Sequence, residues 1–130
     1  MADMLQKGAA WLAGKLRDHV SREVVYVRGA GQSGEIRRTM PATVGRTRYE
    51  VTDELGGVRL EYTDRDFLIV TEEFRAGGLL EEPQEGDRVE EAVGGATLVY
   101  EVAPPPGRTA WRYDDPYRTM IRVHTKQIEA

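Results

Sequence analysis

The sequence predicts a mainly β protein, a small antiparallel barrel or sandwich preceded by an N-terminal α-helix. Three observations carry this. After Ser21 the apolar period changes from 3.6 residues to two and stays there. Turn signals rich in Gly, Pro and Asp separate the alternating runs at short intervals. No crossover helix appears between the strands, so the sheet should be antiparallel. The expected division is a helix over 1–21, packed on the barrel or held out as an arm, and a barrel domain over 22–130.

The helix is expected over Asp3–His19. Leu5, Ala9, Leu12, Leu16 and Val20 recur on one face, and Asp3 with Gln6 has the form of a capping box. Val24-Val25-Tyr26-Val27 is a run of β formers and predicts a buried strand. Arg28-Gly-Ala-Gly-Gln-Ser-Gly34 is glycine-rich but lacks the Lys-Ser/Thr and following helix of a phosphate loop, so it is a hairpin connection. Glu35 to Val44 alternates but contains Pro41, which cannot donate to a ladder; that strand is at an edge, bent or interrupted.

Thr47, Tyr49 and Val51, then Val58, Leu60 and Tyr62, flank a turn at Asp53–Gly57 and predict a hairpin with one face buried. Phe67-Leu-Ile-Val70 is apolar on both faces and should be central. Glu72–Ala76 has room for one helical turn before Gly77-Gly78. Asp87–Ala92 and Thr97–Ala103 form a second hairpin about Gly94-Gly95, with Leu98, Tyr100 and Val102 inward. Pro104-Pro-Pro-Gly107 is a stiff link into the last stretch.

That stretch, Trp111 to Lys126, turns at Asp114-Asp115-Pro116 and then alternates strictly. Thr119, Ile121, Val123 and Thr125 share one face; Arg118, Met120, Arg122, His124 and Lys126 share the other. The second face is almost entirely cationic. Trp111, Arg118, Arg122, His124 and Lys126 are therefore the candidate partner-interface residues, against the plainer reading of a solvated strand face. On this reading Arg118 and Arg122 are unburied, and replacing both by Glu leaves the fold intact.

The chain has 130 residues and a net charge of -4, with no Cys and no Asn. A disulfide framework, a thiolate metal site and a cysteine nucleophile are thereby excluded. The charge is segregated. Residues 1–50 carry nine Lys/Arg against five Asp/Glu, residues 51–103 four against fourteen, and residues 104–130 five against three. Such blocks suit contacts between copies, or are a chance clustering of surface charge. The acidic loop Glu81–Asp87 lacks the ligand pattern of a Ca²⁺ loop. His19, His124, Ser21 and Ser33 are the only His and Ser, and neither Ser stands in a nucleophile elbow. The carboxylate pairs Asp64/Asp66 and Asp114/Asp115 are the one residual acid/base option, in turn-like contexts. No apolar run has the length of a membrane span, and no secretory leader is expected.

Taken in order, the Arg65-Asp-Phe-Leu-Ile-Val70 strand, Pro83-x-x-Gly86-Asp87-Arg88-Val89, the hairpin ending Tyr100-Glu-Val102, and Trp111-Arg-Tyr-Asp-Asp-Pro-Tyr-Arg with Arg122-Val-His-Thr-Lys126 resemble the head–tail joining proteins of tailed bacteriophages and prophages, also called head-closure, head-completion or neck proteins. The resemblance implies a structural virion protein without enzymatic activity or cofactor. It implies a small β-barrel that forms a ring below the portal, closes the DNA-filled head and docks the tail. The implied partners are further copies of the chain, a portal or adaptor protein, and a tail terminator or tail protein. Genomic DNA would pass through the channel without sequence-specific binding, and no membrane is involved. The implied location is the virion, and the host cytoplasm during assembly. A tail terminator or tail-completion protein, or an unrelated β-barrel binding module, is the alternative.

Overall fold

The computed structural model describes Lys7, Gly8 and residues 21–129. The chain runs through β1 (Arg22–Arg28), β2 (Ile36–Gly45), β3 (Arg48–Thr52), β4 (Val58–Tyr62), β5 (Arg65–Val70), α1 (Thr71–Arg75), β6 (Arg88–Val93), β7 (Ala96–Val102), β8 (Trp111–Tyr113) and β9 (Met120–Glu129). The helix expected over Asp3–His19 lies, but for Lys7 and Gly8, outside the described residues. The helical element that the structure does show, α1, is short and in mid-chain.

Six strands close into an antiparallel barrel in the order β5-β2-β1-β6-β7-β9, with β9 pairing back onto β5. Closure depends on the length of β9. Its first half pairs with β5 along Met120–Thr125, while its other edge pairs with β8 and then, from Thr125 onward, with β7. Closing a sheet removes its free edges, which otherwise template unwanted pairing. Pro41 sits where this permits. β2 pairs with β1 along Ile36–Ala42 but with β5 only along Thr43–Gly45, so one edge at Pro41 carries no partner strand.

Alternation places the core. Val24, Tyr26, Met40, Phe67, Ile69, Val89, Tyr100, Val102, Ile121 and Val123 fill the lumen, and α1 and the loop after it add Phe74 and Leu80. Tyr26 meets Phe74 edge-on at 5.0 Å between centroids, and Phe67 meets Tyr100 likewise at 5.4 Å. Gly94-Gly95, both at positive φ, make the two-residue β6–β7 turn that only residues tolerant of that region allow.

Polar groups inside are paired. Glu91 is buried on β6 and takes ion pairs from Arg22, at 2.6 Å, and from Arg65 on β5. Asp87 is buried at the Pro83–Asp87 turn. Its carboxylate accepts from the Tyr26 hydroxyl at 2.5 Å, from Arg28 Nη2 at 2.8 Å and from the backbone of Gln84 at 2.9 Å. Burial and the Asp87 charge push the Tyr26 phenol far above its ordinary pKa, so it remains a donor at every physiological pH.

Candidate partner-docking surface

β3 and β4 stand apart from the barrel as a two-stranded hairpin arm. Asp53 sets its register. The Asp53 Oδ1 accepts from the backbone N–H of Leu55 at 2.9 Å and of Gly57 at 2.7 Å, and Gly56 takes a positive φ of 79°. The loop Glu54–Gly56 therefore has three residues and ends in a left-handed one, a common hairpin closure. A side chain at Gly57 would collide with the Asp53 carboxylate, 2.7 Å from its first carbon.

This closure pairs Thr52 with Val58 and Arg48 with Tyr62. Residues directly opposite share a face. Val58, Leu60 and Tyr62 thus lie with Arg48, Glu50 and Thr52, whereas Tyr49 and Val51 lie on the opposite face with Arg59 and Glu61. The expectation of one buried face is corrected: the two apolar rows point in opposite directions and neither is buried. Val58, Leu60 and Tyr62 are 62%, 53% and 56% exposed, and Leu55 at the tip is 97% exposed. A row of three large exposed apolar side chains on a separate hairpin is a candidate interaction surface rather than a core face.

The stem of the arm is clamped to the barrel by one carboxylate. Thr47 and Thr63 flank the hairpin and bond each other, Thr63 N–H to the Thr47 carbonyl and Thr47 N–H to the Thr63 hydroxyl, both at 2.9 Å. Both hydroxyls donate to Asp66 on β5. Asp66 Oδ1 also accepts from His124 Nδ1 at 2.9 Å, and Oδ2 from Arg122 Nη1 at 2.8 Å. Four donors saturate both oxygens. Burial would raise the Asp66 carboxyl, but these hydrogen bonds from His124, Thr47, Arg122 and Thr63 overcome it and hold it down at about 2. Asp66 is therefore ionised, and His124 Nδ1 is the donor between them. Arg122 extends the network outward, with Nε 2.8 Å from Asp114 Oδ1.

This network corrects the reading of the β9 outer face. His124 is 1% exposed and Met120 is buried, and the side chain of Arg122 is only 17% exposed and doubly paired. Of the five residues singled out there, Arg118 and Lys126 are exposed and Trp111 is half-buried, 5.2 Å from the Tyr113 ring. Arg118 adopts a left-handed φ of 59° and lies over Tyr113. They form no single cationic strip. The alternation of residues on β9 is as expected, and Ile121, Val123 and Thr125 do face inward; a period of two says nothing of what covers the other side.

The carboxylate pairs are also accounted for. Asp64 accepts from the backbone of Gln127 at 2.9 Å. Asp115 holds the turn before β9, taking the backbone N–H groups of Thr119 and Met120 and the Thr119 hydroxyl. Among the described residues no group of three or more His, Cys, Asp or Glu is placed to hold a metal ion, and no helix is long and apolar enough to cross a membrane.

The arm residues were legible in the sequence as a hairpin but not as a docking surface. Their signal was the alternation of Val58, Leu60 and Tyr62 opposite a strand whose own apolar residues have the other parity. Beside the arm, an open groove of about 440 Å³ runs between Arg48, Glu50 and Leu60 on one wall and Pro106, Gly107 and Arg108 on the other.

A closed barrel whose polar centre is saturated and covered, and whose apolar side chains project on an arm, has the build of an assembly module. The chain belongs to the phage head–tail joining protein family, whose model matches residues 2–130, nearly its whole length. Among curated proteins no match is found.

Proposed function

We propose that this protein is a structural component of the virion at the head–tail junction, where copies form a ring below the portal, close the DNA-filled head and dock the tail. Family membership supports the joining role. The observation that carries the reading is the arm. The barrel is closed on itself, and among the described residues the row Val58, Leu60 and Tyr62 with Leu55 at the tip gathers four exposed large apolar side chains on one hairpin. The Asp66 clamp supports it further, because a rigidly mounted arm loses little freedom on docking.

The partners on this reading are other copies of the chain, a portal or adaptor protein on the head side and a tail terminator or tail protein on the other. Genomic DNA passes the ring without sequence-specific contact. Arg118, Lys126 and Trp111 are the part of the candidate interface set still available to a partner. No catalytic step or cofactor is assigned. The protein would act in the virion and meet its partners in the host cytoplasm.

Inactivating the gene in the producing phage tests this. The expected lysate holds DNA-filled heads and complete tails that stay unjoined, seen by electron microscopy, and supplying the chain restores infectivity. Tails of irregular length beside normal heads would instead make this a tail terminator, and intact virions would remove it from the junction.

A further inference from the structure

Two features of this surface are unused by the barrel and complement each other. The first is the groove beside the arm. Leu60 and Pro106 line it with apolar surface, and Arg48 and Arg108 line it with positive charge. Neither guanidinium has an ion-pair or hydrogen-bond partner among the described residues. Glu50, which also lines it, leaves the groove with an excess of one positive charge.

The second is the loop after α1. Leu79 is 61% exposed, while Leu80 beside it is fully buried and anchors the loop. Two arginines tie down the backbone beyond it: Arg75 Nε donates to the Glu81 carbonyl at 2.9 Å and Arg28 Nη2 to the Glu82 carbonyl at 2.6 Å. The side-chain carboxylates of Glu81 and Glu82 are exposed and have no partner among the described residues. The loop is thus a preformed knob, one leucine followed by two free carboxylates.

We propose that the groove formed by Arg48, Leu60, Pro106 and Arg108 receives the Leu79–Glu82 knob of a second copy of this chain. Leu79 covers Leu60 and Pro106, and Glu81 and Glu82 meet Arg48 and Arg108. The two surfaces are opposite in charge, two carboxylates against a groove with one positive charge in excess, and Leu79 meets apolar side chains. Knob and groove share no residue, so the contact is head-to-tail and repeats from copy to copy until a rotation closes it into a ring. This inference rests on the ring reading above and names the surfaces that make the ring.

The chain has no Cys, which makes cross-linking a clean test. The variant Leu60→Cys/Leu79→Cys carries both halves of the contact at exposed positions, and circular dichroism checks that it stays folded. A disulfide needs side-chain carbons about 4 Å apart, so only a seated knob is trapped. Oxidation of virions carrying it is expected to give a ladder of dimers, trimers and higher species, absent with either single variant. Charge reversal gives a second arm, read by sedimentation velocity over a concentration series. Arg48→Glu/Arg108→Glu and Glu81→Arg/Glu82→Arg should each weaken self-association by roughly tenfold or more, and an equal mixture of the two should restore it.

If the chain is incorporated in virions but the double variant gives no ladder, the proposal is overturned and the joining role stands. Dimers formed as fully by Leu60→Cys alone would mean that two arms pack on each other, which also overturns it. Absence of the chain from virions would sink the joining reading itself.

Discussion

His124 Nδ1 on β9 lies 2.9 Å from Asp66 Oδ1 on β5, and neither side chain is open to solvent. This bond and its neighbours at Arg122, Thr47 and Thr63 join three parts of the chain that are far apart in sequence: the hairpin stem, the central strand and the closing strand. Removing the carboxylate leaves an unpaired buried guanidinium end, an imidazole and two hydroxyls. Asp66→Ala is expected to cost roughly 3–5 kcal/mol, lowering the midpoint of thermal unfolding by roughly 10 °C or more. Urea unfolding checks it. A loss below about 1 kcal/mol would mean that the clamp contributes little.

The same carboxylate makes stability depend on pH. Its pKa in the fold is about 2, below its ordinary value of 3.8. The folded state therefore holds its proton less tightly than the unfolded chain, and the stabilisation is complete above about pH 4 and lost as pH falls toward 2. Since Arg122 is partly open to water, screening leaves roughly 1–2 kcal/mol of it. The Asp115 carboxyl, where hydrogen bonds from Thr119 and Met120 outweigh burial, is also held low and adds a slope of the same sign. The difference between the native chain and Asp66→Asn, followed by urea midpoints from pH 5 to pH 2, isolates Asp66. Parallel curves would contradict its assignment.

Arg118 and Arg122 are equivalent by sequence parity and not in the fold. Arg122→Glu sets a third carboxylate against Asp66 and Asp114 and should destabilise by about 3 kcal/mol. Arg118→Glu alters an exposed turn residue and should stay within about 0.5 kcal/mol. Differential scanning calorimetry of the two single variants decides this. Equal effects would mean that the Arg122 ion pairs do not persist in solution.

The arm predicts a separation of function from stability. Val58→Thr, Leu60→Gln and Tyr62→Ser remove exposed apolar groups, so each should shift stability by no more than about 0.5 kcal/mol. Together they should abolish joining in a complementation assay. A triple variant that folds and still yields infectious particles would show that the row is only surface.

Much of the barrel could be read from the chain before folding. Period-two alternation, β-branched runs and Gly/Pro/Asp turns identified β1, β2, β5, β6, β7 and β9, and the inward rows of β7 and β9, because those signals depend on neighbours a few residues away. Asp114-Asp115-Pro116 and Gly94-Gly95 were legible as turns for the same reason. The arm was legible as a hairpin, but its faces were not. The single bond set of Asp53 fixes a register in which Val58 stands opposite Thr52, and one residue of slip would have put both apolar rows together.

What only the tertiary structure decided is which faces are covered. From sequence, Asp66 is a turn carboxylate, and Arg122 and His124 belong to an outward strand face, either a partner interface or solvated surface. Folding brings β5 and β9 side by side and seats Thr47 and Thr63 on them, so side chains 56 and 58 residues apart from Asp66 become one buried network. Burial is set by long-range pairing, which a strand's own period does not encode. For the same reason the arm, which reads as a half-buried hairpin, ends with its apolar row facing out.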